Sequence, residues 1–440
     1  MTAKPLALSG ALLALCLAGS GEAQAQQLLI GDQCSLPGPV TDDRCTVLYH
    51  VTNNPANNIV CLWNNDSLVA CEGRTRWGGG FEYVPNGGTT LEFRRHANWP
   101  TLHPWWPSNI PAVRQSGTLL RQQWVQTRYR ASPNNACDIT VPVGGNIQAA
   151  LNQSWATTVC LGAGDHYIGS TLLPRSGQPL RGAPGVAMPT LRPAAGVVDM
   201  RLISMEYVSG VTIKGLRLDS NGSLRPGFGI LIYGANNVLM DGVVVARSLI
   251  GVGVNNGSYN IELRDSLIEF AGDGIAKPGG AQPSMWINDS SDVRVMRSVM
   301  RNNGLGPEGD GEISCYNSPN VAVHASEFRD IGASGMYFVN CDRAVLANNL
   351  VSRTGEWGLD IVNTGYPSGS DYGLFWRNTV EYTRHGAVVL KDSIQATFQG
   401  NVYRFNRQGP NSSGSCNGIN KKGNTSGLWV QGDTVSSGSL

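Results

Sequence analysis

Carboxylates, lysines and aromatic residues gather between Asp273 and Lys391. Asp273 and Asp310 each precede a glycine, and Glu312 follows the second, giving Asp310-Gly311-Glu312. Adjacent carboxylates repel, so one is protonated or a cation sits between them. Three chemistries use such a group. An acid and a base carboxylate hydrolyse a glycosidic bond. Asp273, Asp310 and Glu312 form an oxygen-rich set suited to Ca2+, the one cofactor expected. A base from Lys277, Tyr316 or Lys391 abstracts the proton beside a uronate carboxylate while a cation neutralises the charge. Ser314, Phe338, Asp360, Tyr366 and His385 are the expected sugar contacts. The competing reading is that Asp-Gly is ordinary turn chemistry. That suits Asp273 alone better than it suits the group.

These residues sit within a repeat. Gly229, Gly251, Gly274, Gly311, Gly335, Gly358 and Gly386 each open a short β-rich run, and their numbers differ successively by 22, 23, 37, 24, 23 and 28. An apolar column follows at Val238, Ile261, Val293, Val321, Val345, Leu374 and Ala396. Two columns in step, with no helical pattern between them, predict a β-solenoid whose turns bury their apolar faces by stacking. On this register Ile313 and Cys315 point in, while Glu312, Ser314 and Tyr316 point out. Asp273 and Asp310 then lie about 5 Å apart on consecutive coils. Asparagines recur at 255, 288, 317, 340 and 363, and read as stacked amides rather than as a ligand row.

The repeat is broken at three places. Gly335 to Val345 spans 10 residues, but Gly274 to Val293 spans 19 and Gly358 to Leu374 spans 16. The return from Val293 to Gly311 is also long. Insertions are therefore expected near Ala276–Ser284, Gly304–Glu308 and Thr364–Ser370. Solenoid insertions become loops on one face, often the binding face. Here they would wall a cleft around Asp310 and Glu312.

The start of the chain reads as a signal peptide over residues 1–25: Lys4, an apolar run to Leu17, then Ala23-Gln24-Ala25. An exported, secreted or periplasmic protein is expected, with no membrane insertion. The net charge of +1 points away from nucleic acid as a partner. Residues 26–134 carry strand-like runs and six of the 11 tryptophans. They read as an immunoglobulin-like β-sandwich. In this region Cys34 and Cys45, Cys61-Leu-Trp63, Cys71-Glu-Gly73 and Thr90-Leu-Glu-Phe93 resemble the small sandwich modules appended to exported bacterial enzymes. Cys61–Cys71 and Cys34–Cys45 are the expected pairings by proximity, and Cys137 and Cys160 are near enough to pair. Cys315, Cys341 and Cys416 leave an odd number.

From residue 137 the chain has a family look. Ile147-Gln-Ala-Ala-Leu151 has helical spacing and precedes Thr157-Thr-Val-Cys-Leu-Gly-Ala-Gly164. A short helix before an extended segment of this kind resembles the opening of the pectate-lyase-like right-handed parallel β-helix proteins. The resemblance covers 137–440 and implies that fold, with the helix covering the first coil. That superfamily includes lyases, hydrolases, epimerases and inert adhesins, so it leaves the reaction open. The polygalacturonase aspartate pairs are absent, and Arg384-His-Gly386 matches only a fragment. Trp286-Ile-Asn-Asp289 resembles a pectate lyase motif but precedes the Val293 anchor, and is set aside as coincidence. The expectation is thus an all-β exported protein, a monomer, acting on a polysaccharide. A lyase on acidic glycans is favoured over a glycoside hydrolase. A non-catalytic glycan-binding or surface protein is the rival class.

Overall fold

The chain builds a right-handed parallel β-helix preceded by a smaller set of strands. The computed structural model describes the N-terminal strands between Gln24 and Gln126. It then describes the chain from 136 on, apart from 154–156, 198–199, 221–226, 273–281, 304–310, 365–369, 394, 407–417 and 437–440. Two compact units result, and the solenoid belongs to the second.

The N-terminal strands form one sheet of three and one of four. In the four-stranded sheet Ile59–Asn64 lies antiparallel between Ser67–Glu72 and Gly88–His96, and Thr118–Gln126 adds to the latter. Val60, Cys61, Leu62, Trp63 and Phe93 are buried there. Cys61 is disulfide-bonded and stands opposite Cys71 in register. The expected Cys34–Cys45 bond lies outside the described residues. No helix among the described residues is long and apolar enough to cross a membrane.

Three parallel sheets make the solenoid, with 12, 11 and nine strands. From Ile203–Glu206 on, each coil passes through all three. We call the nine-stranded one the glycine-led sheet, the 12-stranded one the anchor sheet and the 11-stranded one the return sheet. Inside the glycine-led sheet Ile230, Val252, Met285, Ile313, Met336, Leu359 and Val388 stack in one buried column. A second inward column holds Ile232, Val254, Ile287, Cys315, Phe338, Ile361 and Leu390. Each such side chain contributes roughly 1.5–3 kcal/mol by leaving water, and only stacking removes that surface. Phe375 and Phe398 stack face to face at 4.3 Å within the core.

The corner between the anchor and return sheets repeats closely. Gly215, Gly242, Asp265, Arg297, Ala325, Asn348, Arg377, Gly400 and Gly432 occupy it, all with φ between 45° and 65°. The left-handed bend is therefore kept even where the residue has a Cβ, because stacking on both sides outweighs the local penalty. From Ser266 on, the next residue in each coil forms a hydrogen-bonded ladder. Ser326 N donates to Asn349 Oδ1, Asn349 N to Asn378 Oδ1, Asn378 N to Asn401 Oδ1 and Asn401 N to Asp433 Oδ1. Stacked amides were expected in another row. There Asn340 Nδ2 does donate to Asn317 Oδ1 at 3.1 Å, but Asn288 falls one position away, in register with Tyr316.

Both ends of the solenoid differ from its middle. At the start the helix Ile147–Leu151 is capped by Asn146, whose side chain accepts from Ala149 N, and its Ile147, Ala150 and Leu151 join the core. At the far end Ile419–Lys422 is the last strand of the glycine-led sheet. Lys421 there continues the column of Cys315, Phe338, Ile361 and Leu390, and is exposed. Among the described residues two disulfides also tie the solenoid, Cys137–Cys160 and Cys315–Cys341, the second joining neighbouring coils inside the core. Cys416 lies outside the described residues.

The predicted columns hold in most coils and slip in a few. By register, Gly229, Gly251, Gly335 and Gly358 lie on one line with Ser284, Glu312 and Ala387. Gly311 and Gly386 sit one residue earlier, and Gly386 pairs with Trp357. Val345 and Leu374 pair with each other one position beyond the inward column, whose members there are Ala344 and Gly373.

Candidate active site

Outward residues of the glycine-led sheet form two rows. The middle row runs Leu231, Gly253, Trp286, Ser314, Tyr337, Asp360, Val389, Asn420. The row beside it runs Asn288, Tyr316, Val339, Val362, Lys391, Lys422. Successive coils are about 4.8 Å apart, so groups separated widely in sequence become neighbours.

Three aromatics meet in the middle of this face. Trp286 stacks on Tyr316 with ring centroids 4.9 Å apart, and Tyr316 meets Tyr337 edge-on at 5.9 Å. Small Ser314 lies between the Trp286 and Tyr337 positions. Ser314 was expected to touch sugar, but it is fully buried and its hydroxyl donates to the Gly311 carbonyl at 2.9 Å. It supports the aromatic cluster from beneath.

One coil beyond Tyr337 stands Asp360, half-buried and facing outward. Burial and the negative charge of Glu356 push its carboxyl up to about 7, while Lys422 and Lys391 pull the other way. Lys391 and Lys422 are exposed on the adjacent row. The Lys422 Nζ also lies 5.4 Å over the Trp357 ring, which has His385 edge-on at 6.2 Å. Gly386 permits this arrangement, since a Cβ there would come within 2.5 Å of the Trp357 ring. Tyr316, Asp360, Lys391 and His385 thus share this face of the solenoid.

Two expected site residues are inward. Phe338 is fully buried in the column of Cys315 and Ile361, because it has the parity of the core and not of the surface. Glu312 is 2% exposed and not at the mouth of a cleft. In its coil the glycine leads the first inward residue by two positions instead of one, so Glu312 takes the place held elsewhere by glycine. Alternation alone would turn that position outward, but at the corner it faces the core. A Cβ on Gly335 would meet Val351 Cγ1 at 2.4 Å.

Glu312 is accommodated by polar partners in place of that space. Ser284 Oγ and Asn303 Nδ2 both donate to its Oε1. Asn303 further accepts from Ala271 N at 2.6 Å and donates to the Ile268 carbonyl at 3.2 Å. Burial raises the Glu312 carboxyl to about 7 against the pull of its two donors. Glu312 therefore joins residues at two of the expected insertions: Ser284 at the end of Ala276–Ser284, and Asn303 just before Gly304–Glu308.

Asp273, Lys277, Asp310 and Tyr366 lie outside the described residues. Among the described residues no group of three His, Cys, Asp or Glu is placed to hold a metal ion. Of the expected calcium set Glu312 is turned inward, while Asp273 and Asp310 lie outside the described residues.

Trp286, Tyr337, Glu356 and Lys422 were not expected. Trp286 had been set aside because it precedes Val293, yet Met285–Asn288 is a strand of the glycine-led sheet. Counting alternate positions outward from inward Met285 and Ile287 would have found it.

No curated protein matches the chain. Solved structures resemble it at low identity. The surface adhesin PfbA of Streptococcus pneumoniae shares 13% identity, covering 61% of this chain and 76% of its own, with a TM-score of 0.49. An alginate lyase from Paenibacillus shares 18%, covering 65% and 99%, with a TM-score of 0.49. An endo-xylogalacturonan hydrolase from Aspergillus tubingensis shares 12%, covering 68% and 93%, also at 0.49. Within the chain, residues 281–426 match the family model of a right-handed β-helix region.

Proposed function

We propose that the protein is an exported enzyme that cleaves an acidic polysaccharide by β-elimination on the outward face of the glycine-led sheet. Asp360 carries the reading. It is an outward carboxyl tuned to about 7, beside two lysines and one coil from an aromatic cluster. A base whose acidity matches neutral pH is well suited to proton transfer. In this scheme Asp360 takes the C5 proton of a uronate. The electron pair forms the C4=C5 double bond and expels the glycosidic oxygen, which takes a proton from Tyr337. Lys391 and Lys422 hold the uronate carboxylate and stabilise charge as the proton leaves. Trp286 and Tyr316 offer a ring face to a neighbouring sugar.

One observation favours a second reading. Glu356 raises the pKa of Asp360 by its charge, and paired carboxylates are the machinery of glycoside hydrolysis. The same incubation separates the two. Purified protein is mixed with alginate, polygalacturonate or neutral xylan, and both ultraviolet absorbance of unsaturated ends and new reducing ends are followed. Unsaturation on an acidic polymer is the expected outcome. Reducing ends without unsaturation select the hydrolase, and binding without cleavage selects an adhesin. The Cys137–Cys160 and Cys315–Cys341 bonds suit an oxidising compartment. The N-terminal sheets suit an immunoglobulin-like accessory module, and a calcium ion bound with Asp273 and Asp310 stays part of the proposal.

A further inference from the structure

A second pair of aromatics lies on the same face, far from Asp360. Tyr207 and Tyr233 meet edge-on with ring centroids 5.6 Å apart and planes at 87°. Tyr207 is 70% exposed, and Asn256 Nδ2 donates to its hydroxyl at 3.3 Å. Its backbone has φ 52°, a conformation that a bulky residue avoids. The chain also makes room for it. A Cβ on Gly234 would come within 2.7 Å of Tyr207 Cδ1. The left-handed corner is repeated at Gly234, Asn256, Asp289, Asn317 and Asn340, and the glycine on the next coil leaves room for a large ring in water, where its burial energy is not gained.

The register relates this pair to the site. Tyr233 shares the outer row with Asn255, and that row continues through Asn288 to Tyr316. Tyr233 is three strand spacings from Tyr316 and five from the strand of Asp360, about 14 Å and 24 Å respectively. One strand spacing is close to the advance of one pyranose along a glycan. The row between the aromatic pairs carries amides, which bond hydroxyls of either sense. Beside the tyrosines Glu206 is neutralised by Arg201 at 2.8 Å, so this end has no excess positive charge for a carboxylate.

We propose that Tyr207 and Tyr233 form a distal stacking platform for the uncharged face of a sugar in the same glycan that reacts at Asp360, with the chain lying along the solenoid axis. The inference rests on the proposed site for its ligand. It makes the protein a reader of long chains, because a short oligosaccharide bound at Asp360 does not reach Tyr207.

The test compares polymer with tetrasaccharide, using whichever of alginate or polygalacturonate the parent degrades. Tyr207→Ala/Tyr233→Ala should raise KM for polymer about tenfold, the worth of a lost aromatic contact. It should leave kcat, and both constants for the tetrasaccharide, unchanged. Tyr207→Phe/Tyr233→Phe should restore the polymer KM. Equal losses on both substrates, or none on either, overturn the platform. Binding of fluorescent polymer to Asp360→Asn chains, with and without the two alanines, keeps the test independent of catalysis. If Asp360→Asn binds polymer and the alanines weaken that binding, the platform stands even where no cleavage is seen. If neither chain binds acidic polymer, the platform and the site fall together.

Discussion

Asp360 and Glu312 both have carboxyls raised to about 7, two coils apart on one sheet, with burial the largest cause in each and the neighbours that modify it different. Glu312 is inside the corner, wrapped by Ser284 and Asn303, with no cation among the causes of its shift. Burial dominates, and the neutral acid is the form the interior favours. Asp360 is outside, among Glu356, Lys391 and Lys422, and its charge responds to whatever approaches that face. A perturbed carboxyl alone therefore does not mark a site. The direction in which it points, and the charges it faces, separate the catalytic candidate from the structural tie.

The largest difference between the two should appear in turnover. Asp360→Asn keeps the shape and removes the base, so kcat should fall by the order of 10²–10⁴. Parent activity should rise as pH passes through about 7 and Asp360 ionises. The variant should lose that limb while its melting temperature holds. A variant with full activity would break the comparison.

Glu312→Gln should show the opposite pattern, in stability. The folded carboxyl binds its proton more tightly than the unfolded one, at about 7 against 4.5. Stability contributed by the proton is then complete below 4.5, falls as pH rises to about 7, and stays low above it. Glutamine mimics the neutral acid at every pH. Relative to the parent, Glu312→Gln should melt alike near pH 4 and be more stable at pH 8, by about 3 kcal/mol. Thermal melts across that range decide it, and a flat difference would remove Glu312 from the interior titration.

The smallest expected effect sharpens the outer side. Lys391→Gln and Lys422→Gln each remove a charge that lowers the Asp360 pKa. The rising limb of the pH–rate profile should move up by less than about one unit, as suits exposed charges. KM for an acidic polymer should rise more than kcat falls, and its salt dependence should weaken. Unchanged profiles would move the substrate carboxylate elsewhere.

Much of the fold was legible because stacking imposes it on the sequence. A coil of about 23 residues repeats its glycines and anchors, and insertions show as broken intervals. The candidate site was less legible, since it depends on register at the level of one residue. Gly311 and Gly386 each sit a single position early, and that shift sent Glu312 inward. Phe338 failed for a related reason: a strand of four residues offers too few alternations to fix its parity. Trp286 was legible in principle, since its strand Met285–Asn288 precedes the Val293 anchor as each glycine-led strand precedes its own anchor. The lysines of the outer row have no local signature, because what joins Lys391 to Lys422 is a neighbouring coil and not a motif.

Lys421 carries a consequence beyond its own coil. A solenoid is a template for itself, and its last strand presents the same unpaired amides that every earlier strand offered to the next. Filaments form when such an end accepts another copy. Here a tenth strand would have to close over an ammonium in a column that is apolar in every earlier coil. Burying that charge would cost several kcal/mol, about what stacking one more coil side chain gains. An exposed lysine on the last described strand of the glycine-led sheet thus makes the stacking of a further strand there less favourable than at any earlier coil.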